Sequence, residues 1–420
     1  MVTSIYILAD TIMVGQGVGD AGLAALTIFM PIVASFFALG LLLGVGGGVL
    51  MSVAKGSGNE SLAHKYFSTA MISAAVVSVC FAVFGAIFFD PMMYALGADT
   101  TNIELVRGYG LCYTVSAPLF IFSSSLQSFI RNDKSPRHAM IAVLTGSGLN
   151  ILLDYLFIFV FKMGMFGASF ATSIGTSITV CILIIHFFTK KNTMRFSFRF
   201  FSIKALWEIA KCGFSSFLIE CANAVLVFVF NHTLLKYIGS VGVTVYSIMS
   251  NVAVVCMSLF NGVTLAAQPI IATNHGADNH KRVLQVRHIG TITSSVIAVI
   301  IFCVGFFFPD LLIYSYVKGP TPEILELARY ALRIYFFAYL FMNFNIFFSG
   351  YFQSTLRPVA AITIQILRSL LLSSVLVSVL PMIFGADAIW YAVPITECIT
   401  FFVAMAFLFF GRFQKTKEAK

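Results

Sequence analysis

Residues 22–54 read GLAALTIFMPIVASFFALGLLLGVGGGVLMSVA, without one charged side chain. A bilayer core of about 30 Å is crossed by roughly 20 helical residues, so this stretch is long enough to span a membrane. The whole chain is similarly apolar: 59% of its 420 residues are hydrophobic and only 10% are charged, with a mean hydropathy of +0.94. Because soluble domains carry roughly 25% charge, this composition excludes a soluble enzyme and a disordered chain.

The apolar runs predict an all-α integral membrane protein. Each helix with its loop takes about 35 residues, which leaves room for about twelve transmembrane helices. The runs lack the period-two alternation of membrane β-strands. The eight cysteines lie inside apolar runs without metal-ligand spacing, so we expect small buried side chains rather than disulfides or a metal site.

The positive charges are segregated along the chain. Most Lys and Arg residues follow even-numbered helices, at 55–65, 131–137, 190–204, 281–287 and 357, and in the tail 412–420. Basic loops stay in the cytoplasm. The pattern predicts a multi-pass protein of the plasma (cytoplasmic) membrane with a cytoplasmic C-terminus. The net charge of +9 therefore reflects topology, and nucleic-acid binding is not expected.

The sequence also repeats itself. Gly19, Gly22, Gly56 and Asn59 recur about 220 residues later as Gly239, Gly242, Gly276 and Asn279. Six helices thus repeat as six in the same orientation, which predicts two six-helix lobes related by a pseudo-two-fold axis along the membrane normal. Such parallel repeats are typical of transporters. The predicted division is a first lobe at 1–189, a cytoplasmic linker at 190–203, a second lobe at 204–411 and a basic tail at 412–420.

The repeat makes helix 1 appear short. Its counterpart, helix 7, starts near Lys204 and reaches the outer turn near Gly239, whereas helix 1 would start about 20 residues before Met1. We therefore expect helix 1 to lack its cytoplasmic start, through either a truncation or a start codon further upstream.

Four polar residues are predicted to meet at one depth in the first lobe. Asp10 and Asp154 each lie nine residues before an outer turn, and Thr172 lies about nine residues after one. At 1.5 Å per residue, all three sit roughly 13 Å below the outer surface. Asn150 lies one helical turn from Asp154, on the same face. Oxygen ligands of this kind suit Na⁺, and two neighbouring carboxylates also suit a shared proton.

The second half serves as an internal control for these residues. Its corresponding positions are apolar: Phe230 for Asp10, Leu371 or Leu372 for Asn150, Val375 or Leu376 for Asp154, and Val393 for Thr172. Polar groups needed only for helix packing should have tended to survive in both halves. We favour a cation-coupling role, and a structural hydrogen-bond network remains the alternative.

The second half has other ionisable groups within spans, where such groups are functional by default. Glu220, Glu397 and Arg368 are candidates for substrate binding or secondary coupling. Arg368 and Glu397 lie at similar heights on adjacent helices, which favours a structural ion pair over a substrate contact. The histidines are mostly at helix ends, where a surface position is expected.

At these residues the sequence resembles the multidrug and toxic compound extrusion (MATE) family over nearly its whole length. The likeness is carried by Ala9-Asp10-Thr11-Ile12-Met13-Val14-Gly15, Asn150-Ile151-Leu152-Leu153-Asp154, Gly167-Ala168-Ser169-Phe170-Ala171-Thr172 and Pro394-Ile395-Thr396-Glu397. The resemblance implies two six-helix lobes around a cavity and drug efflux by cation antiport. In one prokaryotic branch it implies ion coupling at Asp10, Asn150, Asp154 and Thr172. In another branch coupling lies on acids of the second lobe, which Glu220 matches only roughly.

Together these observations predict a secondary active multidrug efflux transporter rather than an enzyme. It would export amphipathic or cationic small molecules in antiport with Na⁺ or H⁺. We expect no cofactor beyond the coupling ion, the lipid bilayer as surroundings, and a monomer. The alternatives are a lipid-linked precursor flippase of the same superfamily and a non-transporting receptor or channel scaffold.

Overall fold

The computed structural model describes residues 2–317 and 319–418, and within them every regular element is a helix. The helices of the first repeat are α1 (Val2–Gly17), α2 (Asp20–Gly56), α3 (Glu60–Ile87), α4 (Phe89–Ala95), α5 (Ile103–Val115), α6 (Ala117–Asn132), α7 (Pro136–Tyr155) and α8 (Gly164–Ile185). A π-helical turn at Leu156–Val160 continues α7.

The second repeat contains α9 (Ile203–Tyr237), α10 (Ser240–Gly276), α11 (His280–Phe307), α12 (Pro309–Tyr316), α13 (Pro322–Ser354), α14 (Pro358–Ile366), α15 (Leu372–Phe384) and α16 (Ala392–Glu418). It follows the same course as the first, but one helix, α13, takes the place of α5 and α6, and two helices, α14 and α15, take the place of α7. A π-helical turn at Leu367–Leu371 joins α14 to α15.

Ten of these helices, with their π or 3-10 extensions, are long and apolar enough to cross a membrane, and the bent pair α5–α6 makes eleven in the described residues. The helix α1 has 16 residues and its counterpart α9 has 35. The chain divides into two compact units, one up to Glu220 and one from Cys221 onward. The boundary lies inside α9.

The repeated residues have the same structural roles in both units. Gly19 and Gly239 precede α2 and α10 with φ of 88° and 86°, a left-handed conformation that favours glycine. Asn59 and Asn279 each accept a hydrogen bond from the backbone N–H three residues later and thereby cap α3 and α11. The repeat in the sequence is therefore also a repeat in the structure.

An ion pair also recurs at equivalent positions of the two units. Arg107 donates to Asp90 at 2.6 Å in the first, and Arg329 donates to Asp310 at 2.6 Å in the second. The acids lie at the starts of the short helices α4 and α12, which the sequence did not predict. These pairs hold each short helix against the long helix that follows it.

The largely apolar stretch 104–131 suggests one continuous helix, but the structure divides it into α5 and α6. The structure bends by 52° between α5 and α6, at Ser116. The break follows from Pro118 near the start of α6: in a continuous helix it would have no N–H to donate to the Thr114 carbonyl, and its ring would clash with that carbonyl. The glycine-rich part of α2 packs against α6, where a Cβ on Gly44 would lie 2.6 Å from the Ser125 Cα. Only glycine permits this approach.

Candidate functional site

The candidate site in the first unit lies where α1, α7 and α8 pack together. Asp10 comes from α1, Asn150 and Asp154 from α7, and Thr172 from α8. The helices α7 and α8 approach closely because they carry glycines at their contact. A Cβ on Gly175 would lie 2.8 Å from a backbone oxygen of α7 and 2.9 Å from the Asn150 Cβ. This contact fixes the position of Asn150.

All four side chains are removed from the protein surface. Asp10 is 6% exposed, Asn150 2%, Asp154 0% and Thr172 5%. The Asn150 amide donates to Thr172 Oγ1 at 3.2 Å, and the Thr172 hydroxyl donates to the Ala168 carbonyl at 3.0 Å. The amide and hydroxyl are therefore ordered by bonds within the site.

The two buried carboxylates have no cationic partner among the described residues, and most of their oxygens accept no hydrogen bond. Both oxygens of Asp154 and Oδ1 of Asp10 accept no hydrogen bond from the described part of the chain, and neither carboxylate has an ion-pair partner there. Asp10 is close enough to Asp154 for an electrostatic interaction, and Asn150 lies near Asp154 without a hydrogen bond of normal geometry. The Asn150 carbonyl oxygen is likewise unpartnered. Buried polar groups need partners, so these oxygens point to a ligand that is positively charged or donates protons.

The chemistry of this oxygen set fits a hard cation or a proton. Carboxylate, amide and hydroxyl oxygens are ligands of hard cations. Among the described residues, no group of three or more His, Cys, Asp or Glu side chains forms a metal site. Among the described residues there is thus no metal site built only from His, Cys, Asp and Glu. The remaining candidate for a cation site is the mixed set of Asp10, Asn150, Asp154 and Thr172.

The other predicted acids lie elsewhere. Glu220 is half-buried on α9 at the division between the units. Arg368 and Glu397 form an ion pair in the second unit, with Nη2 to Oε1 at 2.8 Å and both side chains under 5% exposed. Asn345 of α13 donates to Glu397 Oε2 at 2.7 Å. The carboxylate of Glu397 is therefore neutralised and hydrogen-bonded.

Sequence reasoning missed a third buried acid in the first unit, Asp133 in the turn after α6. Its carboxylate accepts hydrogen bonds from Lys55 of α2, from His186 at the end of α8 at 2.9 Å, and from the hydroxyl and backbone N–H of Thr193 in the linker. Burial alone would raise the pKa of Asp133, but these donors hold it below its usual value. We call this group the Asp133 cluster.

Two expectations about surface and core residues are wrong. His186 is 1% exposed rather than at the surface, because Asp133 provides a buried hydrogen-bond acceptor for its ring. None of the eight cysteines, all of which lie within the described residues, forms a disulfide, but Cys80, Cys181 and Cys221 are exposed on their helices rather than packed inside the fold. Apolar side chains on membrane helices face lipid as readily as core, which the sequence alone does not distinguish.

Comparison with known proteins places the chain among membrane transporters. The MatE family model matches residues 1–156 and 212–379. The multidrug export protein MepA of Staphylococcus haemolyticus is 26% identical over 407 residues, which are 96% of this chain and 89% of that protein. MepA of Staphylococcus saprophyticus is also 26% identical, over 100% of this chain and 92% of its own length.

Solved structures share the fold. An outward-facing multidrug resistance MATE family transporter of the MOP superfamily has a TM-score of 0.91 at 21% identity, over 99% of this chain and 92% of its own. A MOP superfamily transporter from Pyrococcus furiosus, described as having a binding pocket of reverse polarity, has a TM-score of 0.90 at 22% identity, over 100% and 93%. The likeness confirms the predicted all-α fold of twelve spans in two six-helix lobes.

Proposed function

The chain belongs to the MatE family of membrane transporters, and from this premise we propose that it is a secondary active multidrug efflux transporter. It exports amphipathic or cationic compounds in antiport with Na⁺ or H⁺. The name of its MepA relatives, multidrug export protein, supports the substrate class. No Walker motif is present in the sequence, so an ion gradient is the natural energy source.

One observation supports the proposed ion coupling: the buried Asp10 and Asp154 carboxylates have no cationic partner among the described residues. Charged groups inside a membrane are costly and are retained where they bind an ion, a proton or a substrate. We assign coupling to Asp10, Asn150, Asp154 and Thr172. A structural network would have been expected to satisfy these oxygens internally.

The proposed mechanism follows from differential binding. A cation or proton at Asp10 and Asp154 neutralises the site and favours the state in which its charges are compensated. Release of the ion to the cytoplasm restores the negative charge and favours the other state. The gradient can drive substrate export only because the ion binds the two states with different affinity.

Orientation and division are part of the proposal. The basic linker at 190–203 and the C-terminus face the cytoplasm, because positively charged loops stay on that side. The first lobe comprises 1–189, and the second comprises 204–411. The protein lies in the plasma membrane as a multi-pass monomer.

The flippase alternative requires a basic cavity to hold a lipid-linked precursor. Arg368, one of the candidates for substrate binding, is buried and bound to Glu397. A guanidinium neutralised in this way is not available to an anionic substrate. This observation favours drug export over the flippase.

The test is gradient-driven transport of a fluorescent cation into inside-out proteoliposomes, with Na⁺ and pH gradients imposed separately. Asp154→Asn is nearly isosteric and removes a costly buried charge, so the fold should survive. Transport should fall to the level of protein-free vesicles, because the charge that senses the ion is gone. The gradient that drives the wild-type protein identifies the coupling ion.

Glu397→Gln is the matched control from the second lobe. It should keep coupling and lose stability, because it leaves Arg368 without its ionic partner. Full transport by Asp154→Asn, together with loss of transport in a folded Glu397→Gln or Glu220→Gln, would assign coupling to the second lobe and contradict the proposal.

A further inference from the structure

A cleft of about 210 Å³ opens on the second unit between α11, α13 and α16. Its mouth carries Arg287 and His288, and its walls include Phe348, Met405 and Leu408. Phe409 beside it is 53% exposed. The cleft therefore combines two basic side chains with an apolar wall.

The equivalent place in the first unit is filled. Phe67 stands where the repeat has Arg287, and it packs on Phe129 with ring centroids 5.1 Å apart and on Phe187 at 5.8 Å. The counterparts of Phe129 and Phe187 are Tyr351 and Leu408. The second unit thus replaces the central aromatic ring of a packed cluster by a cation.

The linker also covers the first unit at this place. Ser68, next to Phe67, donates to the Arg195 carbonyl at 3.4 Å and accepts from the Ser197 N–H at 3.1 Å. The residue equivalent to Ser68 is His288, which is exposed. Among the side chains that the structure describes, none covers His288 in the way that the linker covers Ser68.

Arg287 has no acidic partner within the described ranges. Its guanidinium lies over the Tyr351 ring at 5.8 Å from the centroid, and its side chain is half-buried. The aromatic face supplies part of the stabilisation that a cation needs away from bulk water. The positive charge of Arg287 is thus left without a counter-charge from the described side chains.

The height of the cleft places its basic end near the lipid headgroups. Arg287 lies seven residues after His280, the first residue of α11, which is roughly 10 Å along the axis. The α11 start, the α13 end and the α16 end belong to the side that we propose faces the cytoplasm. An extended basic side chain at this depth can reach the headgroup layer by snorkelling.

We propose that this cleft binds an anionic phospholipid of the surrounding leaflet. Its phosphate pairs with Arg287 and His288, and the adjoining part of one acyl chain lies along Phe348, Met405 and Leu408. Basic pockets between membrane helices on the cytoplasmic side bind anionic headgroups in this manner. A soluble phosphate ester would satisfy the cations but would leave the apolar wall without a partner.

The experiment measures lipid retention by native mass spectrometry and thermal stability in detergent, with phosphatidylglycerol or phosphatidylcholine added. We expect the wild-type protein to retain phosphatidylglycerol selectively and to gain thermal stability from it. Arg287→Gln should lower the apparent affinity about fivefold, since one basic residue near a lipid surface contributes roughly 1 kcal/mol. Arg282→Gln is the control, because Arg282 lies on the same helix but is exposed and outside the cleft.

A second variant, Arg287→Phe, introduces the residue of the first unit. It should fill the cleft, abolish selective retention and leave thermal stability equal or higher without lipid. Equal loss of affinity in Arg287→Gln and Arg282→Gln would show diffuse electrostatic attraction and overturn the proposal. Equal retention of phosphatidylcholine, or equal stabilisation by soluble glycerol phosphate, would also overturn it.

Discussion

The two lobes bury charge in opposite ways. In the first, Asp10 and Asp154 are buried without a cationic partner among the described residues. In the second, Glu397 is bound by Arg368 and Asn345. Because an uncompensated buried charge is costly whereas a paired one is partly repaid, the difference separates the proposed ion site of the first lobe from the closed ion pair of the second. The two lobes thus share their helical fold but differ in where they bury charged side chains.

The lobes also differ in how their helices meet. The repeat aligns Gly175 of α8 with Thr396 of α16, and the α7 backbone around Gly146 with the π turn that carries Arg368. The first lobe brings α7 and α8 together through glycines, which leaves little space for side chains. The second opens the helix by a π turn, a feature often associated with function, and places Arg368 in the gap.

The largest expected effect concerns the ion pair of the second lobe. Arg368→Met or Glu397→Met alone should lower the free energy of unfolding by about 3–5 kcal/mol, because each leaves a buried charge unpaired. The double variant should be close to the wild-type protein, because two apolar side chains replace two charges. Denaturant unfolding in detergent measures all three variants.

The matched test in the first lobe removes a buried charge that has no cationic partner among the described residues. Asp154→Asn should leave the free energy of unfolding unchanged or raise it, since no cation loses its partner. A double variant of Arg368 and Glu397 as unstable as the single variants would show that the ion pair does more than compensate charge. The contrast between the lobes would then be wrong.

An intermediate effect is expected at the glycine contact of the first lobe. Gly175→Ala should lower the free energy of unfolding by about 1–3 kcal/mol, the usual cost of overpacking. The added methyl would meet a backbone oxygen of α7 at 2.8 Å and the Asn150 Cβ at 2.9 Å. It should also weaken ion binding, measured by isothermal titration with Na⁺ or by proton release, because Asn150 moves.

Thr396→Ala is the counterpart in the second lobe and removes a hydroxyl without a hydrogen-bond partner in the described part of the chain. Its effect on the free energy of unfolding should stay within about 1 kcal/mol. A smaller cost for Gly175→Ala than for Thr396→Ala would contradict the idea that this helix contact is packed more closely in the first lobe than in the second.

The smallest expected effect concerns the Asp133 cluster, which the second lobe lacks at the repeat-equivalent positions His275, Thr355 and Phe407. Asp133→Asn should cost about 1 kcal/mol at neutral pH, since the amide keeps part of the hydrogen bonding. Because the folded pKa of Asp133 is lowered, its contribution is full above the ordinary value of 3.8 and is lost as the pH falls towards the folded pKa.

The measurement is the melting temperature of the wild-type protein and of Asp133→Asn between pH 7 and pH 3. The difference between them should shrink below pH 3.8. A constant difference over this range would show that the ionised carboxylate is not what stabilises the cluster. Protease cleavage in the linker should rise in the variant, because Thr193 loses its anchor.

Composition and repetition determined the fold of this protein. A chain with 10% charge must place its helices in lipid, and a spacing of about 220 residues predicts that six helices occur twice. Counting residues from outer turns placed Asp10, Asn150, Asp154 and Thr172 at one depth, because a straight helix rises by a constant amount per residue. These inferences need only local geometry and the membrane thickness.

Tertiary structure alone decided which distant residues meet. The Asp133 cluster joins α2, α6, α8 and the linker, and no sequence spacing relates Lys55, Asp133, His186 and Thr193. The cleft at Arg287 exists because three helix faces leave a gap where the first lobe has packed rings. Such features depend on how helices turn about their axes and on side-chain volume at their contacts, which hydropathy and periodicity do not encode.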